Sequence, residues 1–231
     1  MFKNVKLIAH RGASAIECEN TAEAFELACG ENCFGVECDV HVTADGKYVI
    51  FHDDETGRMC FENLTVEKSA FDVLRALEFR RGKNYKIPSL EEYLQIMKRS
   101  GKTAVIELKN PMAEKNIAEI CAICAEKYDL DKIIFISFCF ENLLVVRSIL
   151  PEQKIQFLTC AVTKELADEL VKHNFGIDVD RVVADENAFE ILKERNIPIN
   201  CWTVDDEEEA KKLARLGAEF ITTNVIGLRR D

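Results

Sequence analysis

Four short segments bring together side chains that can do chemistry: His10-Arg11, Glu37-x-Asp39, His52-Asp53 and Glu107-x-Lys109. Each ends or occupies an apolar, β-branched run. In an extended strand, residues two apart point to the same side, so Glu37 stands with Asp39 and Glu107 with Lys109. Burying several charges at a strand end is costly unless they share a partner. Three carboxylates, Glu37, Asp39 and Glu107, satisfy one another best by holding a hard divalent cation through oxygen, which suits Mg²⁺ or Ca²⁺ better than zinc. Arg11 and Lys109 can take phosphate oxygens, and His10 and His52 can act as base and acid on the two sides of phosphorus. The constellation is that of phosphodiester chemistry. A structural ion pair between Glu107 and Lys109 is the competing reading of that spacing, and Trp202 reads on general grounds as core.

The elements that must position these groups alternate regularly. Strand candidates fall at 5–9, 34–40, 103–108, 132–138, 154–159, 180–184, 197–203 and 219–223. Helix candidates fall at 21–29, 89–100, 112–127, 141–149, 164–173, 186–195 and 206–216. Ser89 with Glu92 forms a capping box, Asp205 stands ahead of the Glu-rich last helix, and Gly101 and Gly217 follow helix ends. Segment 47–52 also reads as a strand, but it follows 34–40 too closely for a parallel crossover. It is expected to be the returning arm of a hairpin turning at Asp45-Gly46, which brings His52 back beside Cys38 and Asp39. Eight parallel strands with helices between them predict an α/β fold, a (β/α)8 TIM barrel, in which the carboxyl ends of the strands form the working face. An open doubly wound sheet would need fewer strands. No linker divides the chain, so 1–231 is expected to be one domain. The stretch 53–86 is an insertion after the second-strand hairpin, with one helix near 66–78.

With 231 residues, 30 basic and 41 acidic, the net charge is −11. Such a balance argues against nucleic acid as a partner. No apolar run approaches a membrane span, and the opening residues have too short an apolar core for a signal peptide, so a cytoplasmic location is expected. The ten cysteines sit largely in apolar runs and read as reduced, buried thiols. Cys121 and Cys124 share a helix face and read as core packing. His41 is expected to face solvent on the hairpin arm, and His173 to be an ordinary surface or hydrogen-bonded histidine.

The residues also carry a family pattern. His10-Arg11-Gly12-Ala13, Glu19-Asn20-Thr21, Glu37-x-Asp39-Val40, Thr43-x-Asp45-Gly46 and His52-Asp53 resemble the signature of the glycerophosphodiester phosphodiesterase family. The likeness continues through Ile87-Pro88-Ser89-Leu90-Glu91, Ile106-Glu107-Leu108-Lys109, Ser137-Phe138, Trp202-Thr203-Val204 and Ile221-Thr222-Thr223. It implies a TIM barrel with a small insertion after His52 and hydrolysis of glycerophosphodiesters, such as glycerophosphocholine or glycerophosphoethanolamine, to sn-glycerol 3-phosphate and an alcohol, with one divalent metal ion. Carried over residue by residue, Glu37, Asp39 and Glu107 look like the metal ligands and His10 and His52 like the acid–base pair. Arg11 and Lys109 look like the phosphate clamp, and Phe138 and Trp202 like walls against the substrate. Cys18 and Val225 stand where the family usually has proline, and the segment 136–138 has one serine where two are common. A lysophospholipase D-type phosphodiesterase and a non-catalytic phosphodiester-binding barrel are the alternatives. The alcohol, the choice of Mg²⁺ or Ca²⁺, the division of labour between the histidines, attack by water or through a cyclic phosphate, and the oligomeric state stay open.

Overall fold

The computed structural model describes residues 5–82 and 84–226. Eight strands form a closed parallel barrel: β1 (Lys6–Ala9), β2 (Gly35–Val42), β4 (Thr103–Leu108), β5 (Ile133–Ser137), β6 (Lys154–Thr159), β7 (Gly176–Asp180), β8 (Ile199–Trp202) and β9 (Phe220–Thr223). The seam closes where β1 pairs with both β9 and β2, through Ile8↔Gly35 and Ala9↔Val36 on the β2 side. Between the strands run α1 (Ala22–Gly30), α3 (Leu90–Ser100), α4 (Glu114–Lys127), α5 (Phe140–Ile149), α6 (Lys164–His173), α7 (Glu186–Lys193) and α8 (Glu207–Leu216). This is the (β/α)8 TIM barrel.

Strand alternation separates two cores. Outward-facing Val36, Ile106, Phe135 and Ile177 pack under the helices, whereas Ile8, Val105, Ile134 and Phe220 fill the barrel axis. Cys121 and Cys124 lie buried on α4 in the first of these layers. Cys160, by contrast, is exposed. Ser89 caps α3 reciprocally with Glu92 as expected, and Gly101 ends it in the left-handed conformation at φ 70°.

The hairpin arm is β3 (Tyr48–Ile50), antiparallel to β2 in the register Val40↔Ile50. The insertion that follows carries 3-10 turns at Thr56–Arg58 and Val66–Lys68 and one short helix, α2 (Phe71–Arg75), rather than a single helix over 66–78. Cys60, Val66, Leu74 and Phe79 form a small core of its own against Val49 and Phe51.

Three local expectations are corrected. The strand expected at 180–184 lies at Gly176–Asp180, and Arg181–Ala184 is a turn in which Val182 is 74% exposed. The Val182-Val183 pair imitates a strand, while the true one is disguised by inward-facing Asp178 and by Gly176, where a Cβ would meet Pro198 O at 3.0 Å. The N-cap of α8 is Asp206, and Asp205 instead accepts from Thr223 Oγ1 and from the backbone and side chain of Asn224. His41 is wholly buried, because the insertion folds back over the hairpin and sets Glu67 Oε1 3.2 Å from its Nδ1.

Candidate active site

The carboxyl ends of β2 and β4 define the acidic side of the barrel mouth. Pairing of β2 with β4 sets Asp39 opposite Glu107, and alternation adds Glu37 on the same inward side. Each of these three buried residues offers an oxygen within 4.8 Å of the others. Two cations stand among them: Lys109 Nζ lies 2.9 Å from Glu107 Oε1 and 3.3 Å from Asp39 Oδ1, and Arg11 Nε lies 3.4 Å from Asp39 Oδ2. The Arg11 backbone N–H donates to Glu37 Oε2 at 2.8 Å, and Asn20 Nδ2 donates to Asp39 Oδ2 at 2.7 Å. The loop bearing Arg11 and Asn20 is tightly wound, with φ of 55° and 56° at these residues. Between them Gly12, at φ 82°, comes so close to α1 that a Cβ would lie 2.6 Å from the Ala24 backbone.

These surroundings drive the three carboxyls apart. Burial, then the charges of Asp39 and Glu107, pushes Glu37 well above the ordinary carboxylate range. Burial, reinforced by Asp39, raises Glu107 to about 7. Burial also disfavours charge on Asp39, but Lys109, Arg11 and His52 outweigh it and hold that carboxyl well below its usual value. Glu37 Oε1 is buried with no hydrogen-bond partner among the described residues. Oxygen-only donors, close spacing and this unpartnered atom fit a hard divalent cation, whose charge would relieve the repulsion that raises Glu37 and Glu107.

Two imidazoles flank this cluster, each anchored through Nδ1. His10 directly follows β1; its Nδ1 lies 2.8 Å from Asn224 Oδ1. Because Asn224 Nδ2 donates to Asp205, its carbonyl oxygen faces the ring, so His10 Nδ1 carries the hydrogen and Nε2 is the acceptor. Burial, then the Arg11 charge, lowers His10 to about 4, so this ring is neutral at pH 7. His52, at the end of the hairpin, has Nδ1 2.6 Å from Asp53 Oδ1. Burial lowers His52 as well, with Asp39 opposing. Asp53 is gripped by Arg58, which also reaches Glu19 at 2.6 Å, and Glu19 accepts from Arg11 at 2.9 Å. A continuous chain of ion pairs thus ties Asp53, and through it His52, to Arg11.

One pocket gathers His10, Arg11, Glu37, His52 and Glu107 on one side and Phe138, Asp178, Trp202 and Thr222 on the other. Lys109 and Asp39 lie behind this lining, through the contacts just described. Phe138 and Trp202 meet edge to face at 5.6 Å, and Trp202 Nε1 donates to the Asp178 carbonyl at 3.1 Å. The nine side chains expected at the site therefore converge at one barrel mouth. The sequence alone assigns no site role to Asn20, Arg58, Asp178 or Asn224. Asn20 lies within the Glu19-Asn20-Thr21 signature, which is a usable signal; Arg58, Asp178 and Asn224 join the mouth through contacts that only the folded chain creates.

Fold and mouth together define the class, a (β/α)8 hydrolase of phosphate esters. The chain belongs to the glycerophosphoryl diester phosphodiesterase family, whose model matches residues 10–228. A Mycoplasma genitalium protein of uncharacterised function is 32% identical over 90% of this chain and 90% of its own length. A glycerophosphodiester phosphodiesterase of Caldanaerobacter subterraneus is 25% identical, covering 94% of this chain and 93% of that protein. Among solved structures, an Oleispira antarctica phosphodiesterase in complex with the product sn-glycerol-3-phosphate superposes with a TM-score of 0.89 at 25% identity, over 95% of this chain and 93% of that one.

Proposed function

We propose that the protein hydrolyses water-soluble glycerophosphodiesters, such as glycerophosphocholine or glycerophosphoethanolamine, to sn-glycerol 3-phosphate and the free alcohol, using one Mg²⁺ or Ca²⁺ ion. The observation that carries this reading is the meeting of three buried carboxylates, two cations and two Nδ1-anchored histidines at one barrel mouth. Glu37, Asp39 and Glu107 would hold the cation, which when bound supplies positive charge to a phosphoryl oxygen. Arg11 and Lys109 neutralise the remaining phosphoryl charge, and Phe138 and Trp202 wall the substrate arms. His10 and His52 work through Nε2: one takes the proton of the attacking oxygen, whether water or the glycerol 2-hydroxyl, and the other gives a proton to the departing alcohol. Asn224 and Asp53 hold the two rings in the tautomer and orientation that this exchange needs.

The insertion favours deacylated substrates over lysophospholipids. An acyl entry would draw on its apolar residues, yet Leu74 and Leu77 are buried in its own core, and Met59, Leu64 and Phe71 pack against that core. Phe61 is exposed, with the Arg80 guanidinium over its ring. Among the described residues no helix is long and apolar enough to cross a membrane.

The test follows release of sn-glycerol 3-phosphate from glycerophosphocholine, glycerophosphoethanolamine and lysophosphatidylcholine with Mg²⁺, with Ca²⁺ and with EDTA. Activity is expected on the deacylated diesters, lost in EDTA, and reduced about 10²- to 10⁴-fold in His10→Ala and strongly in Glu37→Gln. Chelator-resistant turnover, or full activity in both variants, would refute the mechanism; binding without turnover would make the protein a phosphodiester-binding barrel.

A further inference from the structure

The barrel has a second concavity, at the amino ends of its strands and so remote from the mouth. A cavity of about 300 Å³ opens where β1, β5, β6, β7 and β9 begin, at the lower end of the range of small-molecule sites. Alternation and register decide which side chains enter it. Ile134 and Phe220 face the barrel axis, so their register partners Lys154 and Lys6 do too. Ile136 faces the axis one layer higher and brings in Gln156 and, across it, Gly176. The phosphodiester chemistry uses none of these groups.

Two of them lack a partner. Gln156 is 4% exposed, yet its Oε1 accepts no hydrogen bond among the described residues. A buried carbonyl oxygen in that condition is costly. Lys6 Nζ sits 4.9 Å from the ring centroids of both Phe34 and Phe220 and makes no hydrogen bond or ion pair among the described residues. The rings hold the ammonium in place without supplying a counter-ion. Lys154 differs, since its Nζ donates to the Asp131 carbonyl at 2.7 Å. Gly176 keeps the space beside the amide open, because a Cβ there would lie 3.1 Å from Gln156 Cγ. Glycine within a strand often marks the close approach of a ligand.

The charges select the ligand. One uncommitted ammonium, with no guanidinium among the lining residues, suits a single negative charge, whereas a dianionic phosphate is bound best by Arg forks or several donors. Glu152 and Glu219, also on the lining, disfavour a second negative charge. Gln156 Oε1 calls for an O–H or N–H donor, and Ile134 and Phe220 for an apolar body. We infer that this basal cavity is a binding site for a small monocarboxylate with an apolar body and a hydroxyl or N–H donor, its carboxylate on Lys6 and its donor on Gln156 Oε1. The site is independent of the phosphodiesterase reading. Because it lies at the opposite end of the barrel, its ligand and a phosphodiester can be bound together.

Titration of the ¹⁵N-labelled full chain with 4-hydroxybenzoate, followed by NMR, tests it. Saturable shifts are expected at the Gly176 backbone amide and the Gln156 side-chain amide, with Trp202 Nε1–H at the mouth unmoved and no displacement by sn-glycerol 3-phosphate. Benzoate lacks the hydroxyl and 4-hydroxybenzamide lacks the charge. Each is expected to bind at least about tenfold more weakly, the worth of one good hydrogen bond to a buried group. Gln156→Leu should erase only the preference over benzoate, and Lys6→Met only the preference over 4-hydroxybenzamide. Gln156→Leu removes an unpartnered buried acceptor at nearly constant volume, so it should melt no lower than the wild type. The wild-type comparison of the three compounds decides the matter where a variant does not fold. No saturable shift at Gly176 or Gln156 with millimolar 4-hydroxybenzoate, equal affinity for the three compounds, or displacement by sn-glycerol 3-phosphate would overturn the inference.

Discussion

Glu107 and Asp39 are register partners on paired strands, yet their carboxyls are driven in opposite directions. Asp39 faces both cations, whereas Glu107 is buried with Lys109 as its one ion-pair partner among the described residues. This asymmetry sets the sign of a stability change with pH. Glu107 titrates at about 7 in the folded chain against an ordinary value of 4.5. Between those values the unfolded chain has released a proton that the folded chain retains, so this group makes stability fall as pH rises, with no further change above about 7. Glu107→Gln cannot ionise and lacks that slope. In urea unfolding with EDTA, the advantage of the variant over wild type should grow from pH 4.5 to 7 to on the order of 3 kcal/mol and then level off. A difference that stays flat over this window would refute the burial account. Much of the proposed site was readable at this scale because its residues alternate within strands or terminate them, and local spacing carries that information. Asp178 was not, since a single buried acid in a strand resembles a surface residue until its neighbours across the barrel are known.

Among the elements, the insertion does the most to shape the mouth without belonging to the barrel. It carries Arg58 onto Asp53 and Glu19, joining the proposed acid–base residue His52 to Arg11, the proposed phosphate clamp. Arg58 is substantially exposed, so Arg58→Ala should cost less than about 1 kcal/mol of stability. Its effect should fall on kcat, lowered roughly 10- to 100-fold as when a group orienting an active histidine is lost. Leu74→Ala tests the other half of the arrangement. It opens the insertion's small core and should lower stability by about 2–5 kcal/mol, measured by thermal or urea unfolding. Normal kcat in the first variant, or unchanged stability in the second, would show that the insertion is a passive loop. The hairpin was legible because Asp45-Gly46 leaves too few residues for a crossover. The single helix expected near 66–78 was not found, because the insertion turns repeatedly to close on its own core and only Phe71–Arg75 completes α-helical turns. Burial of His41 was hidden for the same reason: it depends on Glu67, brought over the hairpin by those turns.

For the whole molecule, a net charge of −11 coexists with a mouth meant for a phosphate ester. Net charge acts over the whole surface, whereas within the pocket the short-range field of Arg11, Lys109 and the cation proposed at Glu37, Asp39 and Glu107 would govern. A cation that binds only the folded chain raises its stability by mass action. At a hundredfold excess over its Kd, Mg²⁺ or Ca²⁺ should add about 2.7 kcal/mol, seen as a higher Tm that EDTA reverses and that Glu37→Gln abolishes. An unchanged Tm in all three conditions would count against the cation site. The barrel seam adds a consequence for synthesis. His10 lies at the start of the chain, and its anchor Asn224 lies 214 residues later, just beyond β9. Loop closure over such a distance comes late in folding. During translation, a nascent chain that has already displayed Glu37, His52 and Glu107 still holds His10 unanchored until β9 leaves the ribosome and docks beside β1. The proposed role of His10 thereby waits on the segment that carries β9 and Asn224, and chains truncated before β9 should be inert even where their earlier strands have formed.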